Sequence, residues 1–282
     1  MDIDPLQESV PPRYAIESDE EEDEFNPLSI ASSAAKAKAP PEIKIIGEFK
    51  PGADLIFASS EAGKVWGTGA DLGEQIGAAY VNNNQVGLIF SPPWTSINIV
   101  VSESFSRVPL GVMHPYAEKI IEAFKPKRVS MLDSYALPTY TSPTPQSFEK
   151  APIRYLTTGT SNDVAYLKGK AEPFSSPNMI SSVPASILTI LTISATLATL
   201  LLLPSRHIPP PAPKEVTPFT IPRSEDDPAE AEDWPLERMQ QAHGLIFAAF
   251  GVEPERGWKP PIRAKATSSR KRSDIGEGGM YI

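Results

Sequence analysis

The chain has 282 residues, of which 40% are hydrophobic, 31 are proline and none is cysteine. This length suits one large domain or two small ones, and the lack of cysteine excludes a disulfide framework, thiolate chemistry and a cysteine-bound zinc site. The net charge of −9 lies in residues 1–24, so the rest of the chain is neutral overall and gives no general argument for nucleic-acid binding.

The composition divides the chain into three parts. Residues 1–41 are acidic, then small and polar, and we predict a disordered acidic tail. Its start lacks an apolar core, which argues against a secretory signal, and Ser18 before an acidic run is a candidate kinase site. Residues 42–258 are predicted to form one α/β domain that includes a proline-rich loop at 204–222, and residues 259–282 to form a flexible tail.

Short apolar runs predict strands in the first half of the domain. The candidates are Glu42–Phe49, Asp54–Ser59, Ala78–Val81, Gln85–Phe90 and Ile97–Glu103, with the third and fourth joined as a hairpin. Residues 60–77 carry five glycines and are predicted to be a loop. Their spacing departs from the dinucleotide fingerprint by one residue, so a ligand-binding turn is the less favoured interpretation.

The clearest predicted helix is Val108–Phe124, where apolar residues recur every three or four positions. Pro115 suggests that its regular part begins only there. Arg128–Tyr135 follows as a buried strand, which predicts a βαβ unit with a right-handed crossover. Ile153–Thr158 is one more strand candidate.

Residues 183–203 are uncharged and apolar and allow two interpretations. Their length fits a membrane-spanning helix. Six hydroxyl residues and the lack of a flanking aromatic belt favour the other interpretation. In that one, Pro184 lies in the first turn of a buried helix that ends near Ile193, and Leu197–Leu203 forms a central parallel strand.

A final amphipathic helix is predicted to start with Asp227 as its N-cap and Pro228 in its first turn. Its apolar stripe consists of Trp234, Leu236, Met239, His243, Ile246, Phe247 and Phe250. Beyond this helix, the basic cluster Arg270–Arg272 is a candidate nuclear-localisation patch.

Few residues suggest catalysis. The histidines, His114, His207 and His243, are too scattered for a metal motif, and no G-x-S-x-G elbow occurs. Asp133 and Ser134 lie at the predicted carboxyl end of a strand, where α/β sheets place ligand sites. Without a base partner we interpret them as capping residues, and we predict no catalytic, cofactor-binding or metal-binding residue.

The last three residues are the candidate functional site. Met280, Tyr281 and Ile282 supply a hydrophobe, a tyrosine and a carboxylate, which can fill a groove and pair with a lysine or with backbone amides. Three glycines precede them and are predicted to make the approach flexible. A frayed terminus with stray apolar residues is the alternative interpretation.

Three features of the chain point to a known family when they are taken together. The first is E-P-F-S-S-P-N-M-I-S-S-V-P-A-S-I-L at 172–188 with A-T-L-L-L-L-P at 198–204. The second is R-V-S-M-L-D-S-Y at 128–135, and the third is the ending. Their combination resembles the proteasome assembly chaperone 1 family, of the fungal type, over residues 42–282.

The resemblance implies an α/β domain with a mixed, largely parallel central sheet flanked by helices. It implies a heterodimer with the second assembly chaperone, and docking of Met280, Tyr281 and Ile282 into a lysine-lined pocket between α subunits of the 20S proteasome. It also implies a protein without enzymatic activity, cofactor, nucleic-acid partner or membrane partner. We expect a cytoplasmic protein, and the cluster Arg270–Arg272 makes the nucleus a candidate second location, with a merely solvated tail as the alternative. The chain departs from the animal-type pattern in its proline-rich 204–222 and its cysteine-free core. A single-pass membrane protein and a small-molecule α/β enzyme, acting at the glycine-rich segment or Asp133, are the alternatives.

Overall fold

The computed structural model describes residues 40–144, 146–216 and 234–260. Within these ranges, one sheet of nine strands is flanked by four helices. The strands are β1 Ile43–Gly47, β2 Leu55–Ser59, β3 Gln75–Val81, β4 Asn84–Phe90, β5 Asn98–Ser102, β6 Arg128–Ala136, β7 Arg154–Thr157, β8 Glu172–Pro173 and β9 Leu197–Ser205. The helices are α1 Ser60–Gly69, α2 Leu110–Phe124, α3 Val183–Ile193 and α4 Leu236–Ala248.

The sheet is mixed, as predicted, and its centre is parallel. Its strand order is β1-β3-β4-β5-β2-β6-β9-β7-β8. The four central strands, β5, β2, β6 and β9, run parallel to one another, while the strands outside them add antiparallel pairs. Every residue of β2 and β5 is buried, which is typical of parallel strands covered on both faces. The predicted βαβ unit is β5-α2-β6, with β2 lying between its two strands.

The two faces of the sheet carry separate hydrophobic cores. In β9, Leu200 and Leu202 belong to the core under α2 and α3, whereas Leu201 and Leu203 belong to the core under α1 and α4. This division follows from the alternation of side chains along a strand. The first core contains Phe57, Tyr116, Ile120, Phe124, Ile187 and Leu191, and the second contains Ile56, Trp66, Leu132, Met239, Ile246 and Phe247.

The uncharged segment 183–203 folds as a helix followed by a strand. Ser182 is the N-cap of α3 and accepts a hydrogen bond from the Ala185 amide at 3.4 Å. After α3, a turn through Ala195, whose φ is 51°, leads into β9, so the predicted helix and strand are both confirmed. In the described part of the chain, no helix combines the length and apolarity needed to cross a bilayer, so the spanning-helix interpretation of 183–203 is wrong.

The glycine-rich segment differs from its prediction, because Ser60–Gly69 is a helix and not a loop. Small residues there let α1 lie close to β2: a Cβ on Gly63 would come within 2.6 Å of the carbonyl carbon of Ala58. Tertiary packing therefore overrides the weak helix propensity of glycine.

Two predicted helices differ from the structure in their described bounds. α2 begins at Leu110 and contains Pro115, which near the N-terminus removes only one intrahelical hydrogen bond. α4 begins at Leu236, after a non-helical Trp234 whose indole donates to the carbonyl of Pro204 at 2.6 Å. The predicted start at Asp227 and Pro228 lies outside the described residues.

Candidate functional site

The chain that leads to the C-terminal residues is fixed to the body at residues 256–259, here called the tail anchor. The Trp258 indole is buried and donates to the carbonyl of Trp66 at 3.0 Å. The Lys259 amide donates to the carbonyl of Gly69 at 3.0 Å. These carbonyls belong to the last four of α1, which have no partner within the helix, so the tail anchor caps α1.

A buried histidine joins the tail anchor to α4. The Trp66 indole donates to Nδ1 of His243 at 3.1 Å, and Nε2 of His243 lies 2.9 Å from the carbonyl oxygen of Arg256. An indole nitrogen can only donate, so Nδ1 is the acceptor and Nε2 carries the proton that binds Arg256. Burial lowers the pKa of His243, which favours this neutral form. Arg256 also pairs with Asp71, just beyond α1.

The predicted docking residues, Met280, Tyr281 and Ile282, lie outside the described residues. They come 20 to 22 residues after Pro260. At about 3.3–3.6 Å per residue, covalent geometry limits their reach from Pro260 to roughly 75 Å. Ser18 and Arg270–Arg272 also lie outside the described residues.

The predicted pair Asp133 and Ser134 lies near the carboxyl end of β6, and Asp133 belongs to a buried polar cluster. The Ser134 amide donates to Oδ1 of Asp133 at 2.8 Å. Burial raises the pKa of Asp133 to about 7, and hydrogen bonds from the hydroxyls of Ser182 and Ser60 oppose that rise. Ser60 is the first residue of α1 and has a φ of 59°, an unusual backbone conformation for a serine.

Glu103, which follows β5, is a second buried acid of this cluster. Its carboxylate accepts from the Ser59 hydroxyl and the Val108 amide, both at 2.9 Å. Burial also raises its pKa. We did not predict Glu103 or Ser60 as site residues, although Glu103 ends one predicted strand and Ser60 follows another, positions that could have indicated them.

The polar cluster holds loops and helix starts in place, and of its residues Ser182 borders the neighbouring cleft. A cleft of about 220 Å³ lies between α2 and α3 and is lined by Ser182 together with Leu110, Met113 and His114. Neither Asp133 nor Ser60 lines it. Glu103 and Ser182 each accept from a backbone amide at the start of the segment that follows them. Asp133, for which we predicted a capping role, accepts from the amide of the next residue, Ser134.

An uncharged, exposed surface lies on the side of α3, here called the uncharged face. Residues 173–205 contain no charged side chain, yet Met179 is 93% exposed and Ile193 is 83% exposed. The hydroxyls of Thr189 and Thr192 donate to carbonyls of their own helix at 3.0 and 2.7 Å. Because these hydroxyls already have acceptors, an apolar partner can cover the uncharged face without leaving them unsatisfied.

The loop that presents Met179 is held by its neighbour Asn178. The Asn178 amide group donates to the carbonyls of Thr141 and Ser175 at 2.9 and 3.0 Å, and its oxygen accepts from the Thr141 amide at 2.7 Å. An exposed methionine on a hydrogen-bonded loop is suited to contact a partner, because its position is set before binding.

No family model and no curated protein matches the chain. Among solved structures it is similar to PbaA of Pyrococcus furiosus, an archaeal homolog of proteasome-assembly chaperone, with 10% identity over 75% of this chain and 87% of that chain, at a TM-score of 0.49. It is similar to PbaB of Pyrococcus furiosus, an archaeal proteasome activator, with 13% identity over 58% and 81% of the chains, at a TM-score of 0.43. A Mycobacterium tuberculosis proteasome-assembly chaperone homologue has 9% identity over 54% and 75%, at a TM-score of 0.34.

Proposed function

We propose that this chain is a proteasome assembly chaperone that forms a heterodimer with a second assembly chaperone and promotes assembly of the 20S α-ring. The observation that carries the proposal is the ending Met280-Tyr281-Ile282. Its aliphatic and aromatic side chains fit a groove, and a carboxylate on Ile282 pairs with a lysine in the pocket between two α subunits. The proposal requires that Ile282 carries that carboxylate.

The uncharged face supports the heterodimer. Interface cores are depleted in charged residues and enriched in aromatic residues and methionine. The uncharged face offers exposed Met179 and Ile193 on a segment, residues 173–205, that has no charged residue. The tail and the uncharged face then serve different partners, the α-ring and the second chaperone.

Replacing Tyr281 with Ala, or deleting residues 280–282, is expected to weaken binding to purified α-ring by about 1–3 kcal/mol, since a buried tyrosine is a typical anchor residue. A titration followed by fluorescence anisotropy measures the loss. Ile275→Ala is the matched control, because it removes an aliphatic side chain from the same tail outside the ending. Adding one glycine after Ile282 should weaken binding as well, because it moves the carboxylate. Unchanged affinity in Tyr281→Ala and in the chain that lacks residues 280–282 would exclude docking by the ending.

Replacing Met179 and Ile193 together with Glu is expected to weaken the heterodimer by about 2 kcal/mol or more, because each carboxylate would have to be desolvated in the interface. Both side chains are exposed, so the free chain should keep its stability. Co-purification with the second chaperone measures the loss. Val252→Glu, at a half-exposed valine just after α4 on the opposite side of the sheet, is the control. Equal dimer yields for the double variant and the control would place the partner on another surface.

A further inference from the structure

The tail anchor fits a gap that only glycine leaves open. A Cβ on Gly69 would clash with the Trp258 ring and with the carbonyl oxygen of Lys259. Gly69 does not have the left-handed φ that favours glycine elsewhere. Glycine is therefore required at position 69 because it has no side chain. The tail anchor occupies the space that a side chain would fill.

We propose that the tail anchor fixes the point from which the C-terminal residues leave the body, and that Gly69, Trp258 and His243 are positioning residues for docking. This inference rests on the function proposed above. Three independent contacts converge on residues 256–259: the Trp258 indole on Trp66, the Lys259 amide on Gly69, and the Arg256 carbonyl on His243. Contacts to the end of α1 and to the middle of α4 hold a segment in direction as well as in place.

The anchored exit point lies on the opposite side of the sheet from the uncharged face. Gly69 and His243 belong to α1 and α4, which cover one core, whereas α3 covers the other. A partner on the uncharged face therefore leaves the tail anchor accessible. The tail can engage the α-ring while the second chaperone stays bound.

The tail anchor also sets the length of the tether. With Lys259 fixed, 22 residues follow Pro260, whereas release back to Phe250, just after α4, gives 32. In a heterodimer that its partner already holds on the ring, the effective concentration of the tail falls roughly as the −3/2 power of tether length, so release should weaken tail docking about twofold.

Gly69→Ala tests the tail anchor, with Gly67→Ala as its matched control in the same helix. A Cβ at Gly67 meets Val101 and Leu72 only at ordinary contact distances of 3.4 to 3.8 Å. Trypsin can cut after Arg256, which the tail anchor holds in place. We expect Gly69→Ala to speed this cut roughly tenfold or more, because cleavage follows the population of the opened segment. Gly67→Ala should leave the rate unchanged. Trp258→Phe, which keeps a ring but removes the indole donor, should speed it by less.

The same variants then test whether the tail anchor affects α-ring binding by positioning residues 280–282. In the heterodimer, Gly69→Ala should weaken α-ring binding about twofold when this chain is full length, and not at all when it lacks residues 280–282. An unchanged tryptic rate overturns the tail anchor. A faster cut with unchanged affinity, or an equal loss of affinity in both backgrounds, overturns the positioning role. If Tyr281→Ala leaves the affinity unchanged, the proposed docking fails and the positioning role with it, while the tryptic comparison still decides whether the segment is held.

Discussion

Replacing Asp133 with Asn is expected to stabilise the folded chain above pH 7 and to have little effect near pH 4. Burial raises the pKa of Asp133 to about 7, against about 3.9 for an unfolded aspartate. Below pH 4 the carboxyl is protonated in both states and contributes no difference. Between pH 4 and pH 7 the unfolded chain releases its proton first, so stability falls as the pH rises. At about 1.4 kcal/mol per pKa unit, the full loss is about 4 kcal/mol, and Asn removes it.

Urea denaturation of the unchanged chain and of Asp133→Asn, each at pH 4 and at pH 8, measures this effect. The change in unfolding free energy caused by the substitution should differ between the two pH values. Asp163→Asn is a control with the opposite sign, because Asp163 accepts two hydrogen bonds from Thr160 at 2.7 Å and its pKa is lowered. The folded-state pKa of Asp163 lies below its unfolded value, so its stabilising effect develops below about pH 4 and is present at both pH values. Asp163→Asn should therefore destabilise the chain by nearly the same amount at pH 4 and at pH 8. Equal effects of Asp133→Asn at the two pH values would show that Asp133 titrates normally in the folded chain.

Replacing Trp66 with Ala is expected to lower the free energy of unfolding by about 3–5 kcal/mol, the range for deleting a large buried aromatic side chain. Trp66 is fully buried in the core under α1 and α4. Its removal leaves a cavity and takes the hydrogen-bond donor from Nδ1 of His243. Equilibrium unfolding in urea, with the midpoint and slope fitted together, measures the loss.

Two further variants separate the parts of this effect. Trp66→Phe keeps most of the ring volume and removes the donor, so it should cost less than Trp66→Ala. Trp94→Ala deletes the same side chain at a half-buried position where the indole donates to the carbonyl of Asp71 at 3.2 Å, and it should also cost less. A loss for Trp66→Ala no larger than that for Trp94→Ala would contradict the packing described for α1.

The sequence predicted those helices and strands whose hydrophobic pattern is contained within the element itself. Continuous apolar runs indicated β2, β6 and β9, and periodic apolar residues indicated α2, because each pattern repeats within one element. The helix and strand within 183–203 could be separated because hydroxyl residues argued against a membrane span. α1 was missed, since its glycines suggest a loop unless one knows that the helix must lie against β2.

The candidate sites also differ in whether their residues are neighbours in the sequence. Nothing near Trp258 in the sequence indicates its partners, because Trp66 and Gly69 are about 190 positions away. Glu103 is paired with Ser59 across 44 positions. The ending Met280-Tyr281-Ile282 could be recognised from three adjacent residues, and its role in docking stays a prediction.

The four consecutive leucines of β9 have a consequence for cooperativity. Since Leu200 and Leu202 complete one core while Leu201 and Leu203 complete the other, displacing this strand exposes both cores at once. Both helical layers pack on β9, so loss of this strand removes packing from each of them at the same time. A force applied to one face of the sheet is therefore transmitted to the other face through β9.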